Sequence, residues 1–207
     1  SSDKGIYCPK ADAYLDPWKP VQKAIISHAH ADHSRRGHQK YIAHEYSVPI
    51  MQHRLGAIEV TAKKWGETFS INGVRFSLHP AGHIVGSSQI KASYKGETWV
   101  FSGDYKVHND QYTTPFEPQK CSVFITECTF GIPAFKWPSQ DQVFHEIRDW
   151  WQQNAAQGVT SVLFGYSLGK AQRLSYHLDN SIGPLLLHPV IHAHNEVVNS
   201  VRKLPSH

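Results

Sequence analysis

The chain has 207 residues, of which 40% are hydrophobic and 18% are charged, and its formal net charge at pH 7 is +4. This length allows a substantial core, and the composition excludes a disordered or fibrous protein. Because no apolar run reaches the roughly 18 residues of a membrane span, and residues 1–4 contain no apolar signal core, we expect no transmembrane segment. The three cysteines include no CxxC pair, which predicts reduced thiols and a cytoplasmic location. The mild positive charge suits a polyanionic partner without requiring one.

The first predicted elements are short. Residues 14–16 are predicted to end an early strand, and the apolar, β-branched residues 24–26 predict a buried strand. A further strand is predicted over residues 41–43 and a short helix over residues 52–56.

Residues 27–33, which follow the predicted buried strand, read Ser-His-Ala-His-Ala-Asp-His. Alternate side chains of an extended backbone share one face, so His28 and His30 can reach one ion. Asp32 and His33 follow where the chain leaves the strand, and they can turn toward a second point nearby. Since imidazole nitrogens and carboxylate oxygens are ligands of zinc and related ions, this spacing predicts a metal centre rather than a histidine-rich surface loop.

Residues 67–105 predict a β-meander. Asn72-Gly73 and Lys95-Gly96 are hairpin signals, and each lies between two alternating apolar segments. The four strands are predicted at residues 69–71, 74–78, 89–94 and 98–101. The loops that leave this meander carry His83 and Asp104.

The second half alternates apolar runs with amphipathic stretches, which predicts strands and helices in turn. Strands are predicted at residues 123–126, 161–164 and 185–187, and helices at residues 139–157, 170–178 and 195–204. Ser139 is a helix-capping residue and Gly158 a stop signal. The apolar stripe of this helix, which includes Trp150 and Trp151, predicts core packing rather than a base-stacking platform.

Several of these motifs together resemble one family. Residues 28–33 resemble the His-x-His-x-Asp-His signature of the metallo-β-lactamase fold. Six further segments resemble bacterial ligase-associated DNA exonucleases, which are relatives of the β-CASP nucleases that process RNA 3′ ends and repair DNA. They are residues 5–9, 16–18, 79–83, 102–106, 126–131 and 169–174. The resemblance implies an α/β fold, the metallo-β-lactamase αββα sandwich, as one domain over residues 1–207 with a β-CASP-like portion from about residue 127.

The resemblance also implies a ligand set and a cofactor. The cofactor is two divalent ions, zinc or alternatively manganese. One ion would be held by three histidines and the second by Asp32 and His33, with Asp104 bridging the pair; the three histidines are His28, His30 and His83. Asp32 and His33 would be catalytic, with Asp32 orienting the attacking water in a hydrolysis that needs no covalent intermediate.

Other residues have two readings each. Asp16 would brace a ligand histidine, or it is a turn residue before Pro17. Glu127 would brace a ligand or the substrate, or it is an ordinary carboxylate at a strand end. Four basic residues would contact substrate phosphates, or they lie on solvated faces; they are Arg35, Arg36, Lys170 and Arg173.

These implications predict a metal-dependent phosphodiester hydrolase, a DNA exonuclease that acts in repair with a partner ligase and a helicase and without a membrane. The alternatives are an RNA 3′-end processing nuclease, a small-molecule metallo-hydrolase of the same fold, and a non-catalytic nucleic-acid-binding module. Proteins of the resembling family carry a further Asp-His-type motif and a final histidine. We therefore expect an incomplete sandwich, with the last ligand and the general acid beyond residue 207. The late histidines are predicted to lie in loops; they are His188, His192, His194 and His207.

Overall fold

The computed structural model describes residues 2–204, and the chain forms two compact units, Ser1–Glu127 and Cys128–His207. The strands of the first unit are β1 (Ile6–Cys8), β2 (Ala13–Leu15), β3 (Lys23–Ile25), β4 (Lys40–His44), β5 (Val60–Lys63), β6 (Phe69–Ile71), β7 (Val74–Pro80), β8 (Ser88–Tyr94), β9 (Glu97–Phe101) and β10 (Val123–Ile125), and its helix is α1 (Ser47–Leu55). The helices of the second unit are α2 (Gln140–Ala156), α3 (Lys170–His177) and α4 (Pro189–Asn199). None of these helices in residues 2–204 is both long enough and apolar enough to cross a membrane.

The first sheet has the order β1-β2-β3-β4-β5. β1 and β2 are antiparallel, and the other neighbouring pairs are parallel. The predicted strands at residues 14–16, 24–26 and 41–43 correspond to β2, β3 and β4. Our prediction omitted β1 and β5, which lie at the two edges and are only three and four residues long.

The second sheet has the order β10-β9-β8-β7-β6, antiparallel except for the pair of β10 and β9. Both predicted hairpins are confirmed. Asn72 and Gly73 have φ values of 48° and 81°, and Lys95 and Gly96 have values of 48° and 86°. Two successive positive φ values are what a tight two-residue hairpin turn requires.

The two sheets pack face to face through a buried apolar core. Leu15 and Ile25 of the first sheet meet Phe76, Leu78 and Ile90 of the second. Each such side chain contributes roughly 1.5–3 kcal/mol when it is fully buried. The α/β class is therefore confirmed, and the two mixed sheets with four described helices are consistent with part of an αββα sandwich.

The predicted strands of the second unit are wrong. Residues 161–164 and 185–187 lie in irregular segments, and no strand occurs among residues 128–204. A short apolar run becomes a strand only where a neighbouring strand supplies hydrogen-bond partners. Instead, Phe164 is 91% exposed and Leu186 is 92% exposed.

In the second unit, α2 and α3 begin where we predicted, and α4 does not. Ser139 caps α2 by accepting a hydrogen bond from the backbone N–H of Gln142. The core prediction for its apolar stripe is wrong for Trp150, which is 39% exposed, and α2 has no fully buried residue. The last helix was predicted from residue 195, but α4 begins at Pro189, a residue that is favourable in a first helical turn.

The start of α1 also differs from the prediction. Instead of beginning at residue 52, it begins at Ser47 and includes Pro49 within its first turn. Proline is tolerated there because the first helical N–H groups have no intrahelical acceptor. The boundary between the two units follows Glu127, close to where we predict the β-CASP-like portion to begin, and that assignment stays a prediction.

Candidate metal centre

Three loops at the ends of β3, β7 and β9 bring four predicted ligands together. His30 Nδ1 lies 3.1 Å from His28 Nε2 and 3.2 Å from His83 Nε2. Asp104 Oδ2 lies 3.4 Å from His83 Nε2 and 3.9 Å from His28 Nε2. One donor atom from each of the four residues lies within 4.8 Å of the others. Three imidazoles and one carboxylate at this spacing fit a single divalent ion of the zinc type.

Close backbone approaches hold these loops together. Gly82 has a φ of +75°, and a Cβ atom at this position would lie 2.3 Å from the Lys106 carbonyl oxygen. Such a contact leaves no room for any other residue beside His83. Ser87 Oγ accepts hydrogen bonds from the backbone N–H groups of His83 and Ile84, which fixes the turn that carries the histidine.

Asp16 contacts His33 directly, and it is connected to His28 through Ser27. Its Oδ2 lies 2.7 Å from His33 Nδ1, and its Oδ1 accepts a 2.6 Å hydrogen bond from the backbone N–H of Ser27. The Ser27 hydroxyl also donates to Asp16 Oδ2 and lies 3.0 Å from His28 Nδ1. Asp16 has a φ of +41°, a conformation that aspartate adopts more readily than most residues. A carboxylate behind a histidine fixes the ring's tautomer and orientation, so the contact suits the bracing role proposed for Asp16.

A second group of donor atoms adjoins the first. His33, Asp104 and Glu127 form a set in which one donor atom of each lies within 4.8 Å of the others. His33 Nε2 lies 3.9 Å from Asp104 Oδ2, and His33 Nδ1 lies 3.7 Å from Glu127 Oε1. Asp104 is therefore common to both groups, which is the position that a bridging carboxylate needs.

The protonation states suit cation binding. Burial lowers the pKa of His28 well below its usual value, and burial together with the charge of His30 lowers the pKa of His83 to about 4. Both rings are neutral at pH 7, which is the form that binds metal. Burial opposes charging of His33 as well, but the hydrogen bond to Asp16 and the negative charges of Asp16, Glu127 and Asp32 together outweigh it and raise the pKa to about 9. Ion binding at His33 would therefore release a proton.

Glu127 lies beside His33, and the charge of His33 affects the pKa of its carboxyl group. Burial raises the pKa of its carboxyl group above the usual value, against the charge of His33, which acts in the opposite direction. Both roles considered for Glu127, bracing a ligand or the substrate, stay predictions.

Asp32, Arg35 and Arg36 follow the first two ligand histidines in the chain. The Asp32 side chain is 71% exposed, with Oδ2 3.6 Å from His33 Nε2, and it is in none of the donor groups found among residues 2–204. Arg35 Nε donates to the Asp32 carbonyl oxygen, and Arg36 Nη2 donates to the Arg54 carbonyl oxygen. The predicted ligand and substrate roles of these three residues are untested.

Lys170 and Arg173 belong to the second unit, on α3. Arg173 donates through Nε and Nη2 to Gln140 Oε1, at 2.9 and 2.7 Å, and its guanidinium lies 6.0 Å from the centre of the Phe144 ring. Lys170 Nζ lies 5.4 Å from the centre of the Tyr166 ring. Their contact with substrate phosphates stays a prediction.

The late histidines are not all in loops, so this prediction is wrong for His192 and His194, which lie within α4. His188 caps α4, and His207 lies outside the described residues. In the described part of the chain, none of these histidines belongs to a potential metal group.

Two supporting residues were not identified from the sequence. Ser27 connects Asp16 with His28, and its place before the signature gave no separate signal. Arg54 lies near the end of α1, and its Nη1 donates a 2.7 Å hydrogen bond to the Ala29 carbonyl oxygen between the two ligand histidines. Burial lowers the pKa of this guanidinium. Only the tertiary fold brings α1 to the signature loop, so sequence spacing could not reveal this contact.

The fold and the donor set define an α/β protein whose paired sheets carry a potential metal centre at the ends of β3, β7 and β9. Comparison with solved structures supports the fold. A protein of unknown function from Enterococcus faecalis matches with a TM-score of 0.54 and 11% identity, over 86% of this chain and 48% of that chain. No family model matches the sequence.

The chain is similar in sequence to several curated proteins. A probable DNA ligase from Opitutus terrae is 33% identical over 192 residues, covering 91% of this chain and 19% of the relative. Endoribonuclease YSH1 from Kluyveromyces lactis is 29% identical over 54% of this chain and 15% of its own length. Cleavage and polyadenylation specificity factor 73 from Drosophila melanogaster is 24% identical over 79% of this chain and 25% of its own length.

The chain thus spans a quarter or less of the length of these relatives. Together they point to the metallo-β-lactamase and β-CASP nuclease family, and the resemblance predicted from the sequence is confirmed.

Proposed function

We propose that this chain carries the metal centre of a nuclease, a metal-dependent hydrolase of phosphodiester bonds. The observation that carries the proposal is the convergence of His28, His30, His83 and Asp104 on one point. Polar side chains gathered from three loops are costly to bury unless a partner compensates them, and a cation is the partner that this donor set suits. Relatives named as endoribonucleases favour nucleic acid as the substrate.

We assign two divalent ions, zinc or alternatively manganese, to the centre. The first would bind His28, His30 and His83, and the second would bind Asp32 and His33, with Asp104 shared. Asp104 belongs to two of the three donor groups, one with His28, His30 and His83 and one with His33 and Glu127, and this supports the bridging assignment. Asp32 is in none of these groups, and its assignment rests on its place beside His33. Two ions about 3.5–4 Å apart can stabilise both the attacking and the leaving oxygen of a phosphodiester.

The chain's own residues position the reacting groups. Asp16 holds His33 through Nδ1 and so directs Nε2 toward Asp104. Asp32 is exposed beside His33 Nε2, where its carboxylate can accept a hydrogen bond from the attacking water and so orient it, and we assign these two residues the catalytic roles. Arg35 and Arg36 would bind substrate phosphates.

Among nucleic acids we propose DNA, degraded from an end, in a repair process shared with a DNA ligase and a helicase. The relative named as a probable DNA ligase, which matches over 91% of this chain, supports this choice. RNA cleavage is the second candidate, because several relatives are named as endoribonucleases. The cytoplasm is the proposed compartment, and the three free cysteines are compatible with it.

The test uses the 207-residue chain with end-labelled single-stranded DNA, double-stranded DNA and RNA of one sequence, in zinc or manganese, with and without EDTA. We expect chelator-sensitive shortening of the labelled DNA, and we expect Asp104→Asn to abolish it. Chelator-sensitive cleavage of RNA alone would favour the second candidate.

Because the chain spans a quarter or less of the length of its relatives, the refuting result is failure of a metal-loaded sample of a longer chain to degrade any of the three nucleic acids. The same sample would then be assayed with a β-lactam and a thioester, since hydrolysis of either would identify a small-molecule hydrolase. Tight nucleic-acid binding without cleavage would identify a binding module.

A further inference from the structure

The loop between β9 and β10 carries a buried carboxylate that the proposed chemistry does not use. Asp110 is 2% exposed. Its Oδ1 accepts hydrogen bonds from the backbone N–H groups of Tyr112 and Thr113, at 3.1 and 2.7 Å, and its Oδ2 accepts one from Lys106 Nζ. A carboxylate with several donors around it fixes the geometry of the segments that supply them.

Two of these donors lead directly to the predicted metal ligands. Lys106 follows Asp104 by two residues, and its backbone N–H donates a 2.9 Å hydrogen bond to the Ala81 carbonyl oxygen. The Thr113 hydroxyl lies 2.8 Å from Asp110 Oδ1 and 3.0 Å from the carbonyl oxygen of Gly82, so its proton is shared between these acceptors. Asp110 is therefore connected to the backbone on both sides of the gap between Asp104 and His83.

The loop that carries His83 and the loop that carries Asp104 are in close backbone contact. The Cα of Gly82 faces the Lys106 carbonyl oxygen so closely that even a methyl group would be 2.3 Å from it. Beyond this contact, His83 Nε2 and Asp104 Oδ2 are 3.4 Å apart. Since metal–ligand bonds tolerate only about 0.2 Å of deviation, a small separation of the loops would spoil the site.

We propose that Asp110 is a positioning residue of the metal centre, which sets the spacing of His83 and Asp104 through Thr113 and Lys106. The inference rests on the proposed metal centre, but it is independent of whether the substrate is DNA, RNA or a small molecule.

The test measures cobalt(II) binding and the visible absorption of the bound cobalt, which reports ligand geometry directly. Thr113→Val removes the shared hydroxyl at nearly constant volume, and Asp110→Asn removes the charge that pairs with Lys106. We expect each to weaken cobalt affinity by about 10–100-fold, the usual range for a residue that orients ligands, and to shift the absorption bands. Thr113→Ser retains the hydroxyl and should restore both affinity and spectrum.

The matched control is Thr98→Val. The Thr98 hydroxyl lies 3.1 Å from Ser93 Oγ, beside the β8–β9 turn at the opposite end of β9 from Asp104. This variant should bind cobalt as the unmodified chain does. Circular dichroism would verify that all variants fold.

Folded Thr113→Val and Asp110→Asn variants with unchanged cobalt affinity and spectrum would overturn the inference, provided that His83→Ala loses cobalt in the same assay. If the unmodified chain binds no cobalt, the proposed metal centre is wrong and this inference is wrong with it.

Discussion

The two units of the chain differ in how far their apolar side chains are buried. In the first unit, side chains such as Phe76 and Leu78 are enclosed between two sheets, and the polar ligands gather where the strands end. In the second unit, the apolar side chains of α2, α3 and the irregular segments line an open cavity of about 700 Å³, and Phe164 and Leu186 are almost fully exposed. The difference indicates which unit can hold side chains at fixed distances. A closed core resists displacement, so it can support a metal centre whose ligands come from separate loops.

The largest expected difference between the units concerns stability. Phe76→Ala should lower the free energy of unfolding by about 3–5 kcal/mol, because it opens a cavity in a packed core. Phe164→Ala should change it by less than about 0.5 kcal/mol, since this ring is 91% exposed. Urea denaturation of both variants measures the two values. A large loss for Phe164→Ala would mean that its ring is packed in solution, and the comparison of the units would be wrong.

The next prediction concerns the centre itself. His83→Ala should slow phosphodiester hydrolysis by roughly 10²-fold or more, because it removes one of the three histidines that would hold the first ion, and with that ion its stabilisation of transition-state charge. His108→Ala is the matched control, because His108 is exposed in the loop that follows Asp104. Initial rates on labelled DNA measure the effect. Equal losses in both variants would refute the special position of His83.

A smaller effect is expected from the carboxylate that contacts His33. Asp16→Asn should weaken zinc affinity by about 10–100-fold, because the charged partner of His33 is lost while the fold is kept. Asp12→Asn is the control, since Asp12 also has a positive φ, of 49°, but lies on the surface and bonds to Tyr7. Competition with a chromogenic chelator would compare the two. Unchanged affinity in Asp16→Asn would exclude the bracing role.

The smallest effect is a dependence of the first unit's stability on pH. His44 is fully buried and stacked on Trp65 with ring centres 3.3 Å apart, and burial lowers its pKa from 6.5 to about 4. Between these two pH values the unfolded chain binds a proton at His44 and the folded chain does not. The contribution of neutral His44 to the free energy of unfolding is therefore fully present above pH 6.5, and it is lost as the pH drops toward 4.

His44→Phe keeps a ring against Trp65 and removes this titration. Urea unfolding at pH 7 and pH 4.5, in EDTA, should show an acid-induced loss smaller by about 1–2 kcal/mol in the variant. Identical losses in the two proteins would show that His44 does not contribute.

Local rules account for what the sequence could predict. The spacing of His28 and His30 determines that both side chains share a face, and Asn72-Gly73 determines a turn, whatever the rest of the chain does. By contrast, a strand at residues 161–164 needs a partner strand from elsewhere in the chain, and the apolar residues of this segment do not determine whether such a partner is present. The start of α4 does have a local signal, because Pro189 is a residue favoured in the first helical turn.

The supporting residues of the centre are the least predictable. Ser27 and Arg54 matter because folding brings their donor groups to a carboxylate and a carbonyl oxygen, and Asp110 matters because folding brings donors of Lys106 and Thr113 to its carboxylate. No motif marks them. The sequence therefore indicated the candidate ligands, and the structure adds the hydrogen bonds that hold their loops.

The most direct test of the account is anomalous diffraction at the zinc edge from crystals grown with zinc. We expect an anomalous peak about 2.0–2.2 Å from donor atoms of His28, His30, His83 and Asp104. A zinc peak at other residues, or well-ordered side chains at this position with no peak between them, would contradict it.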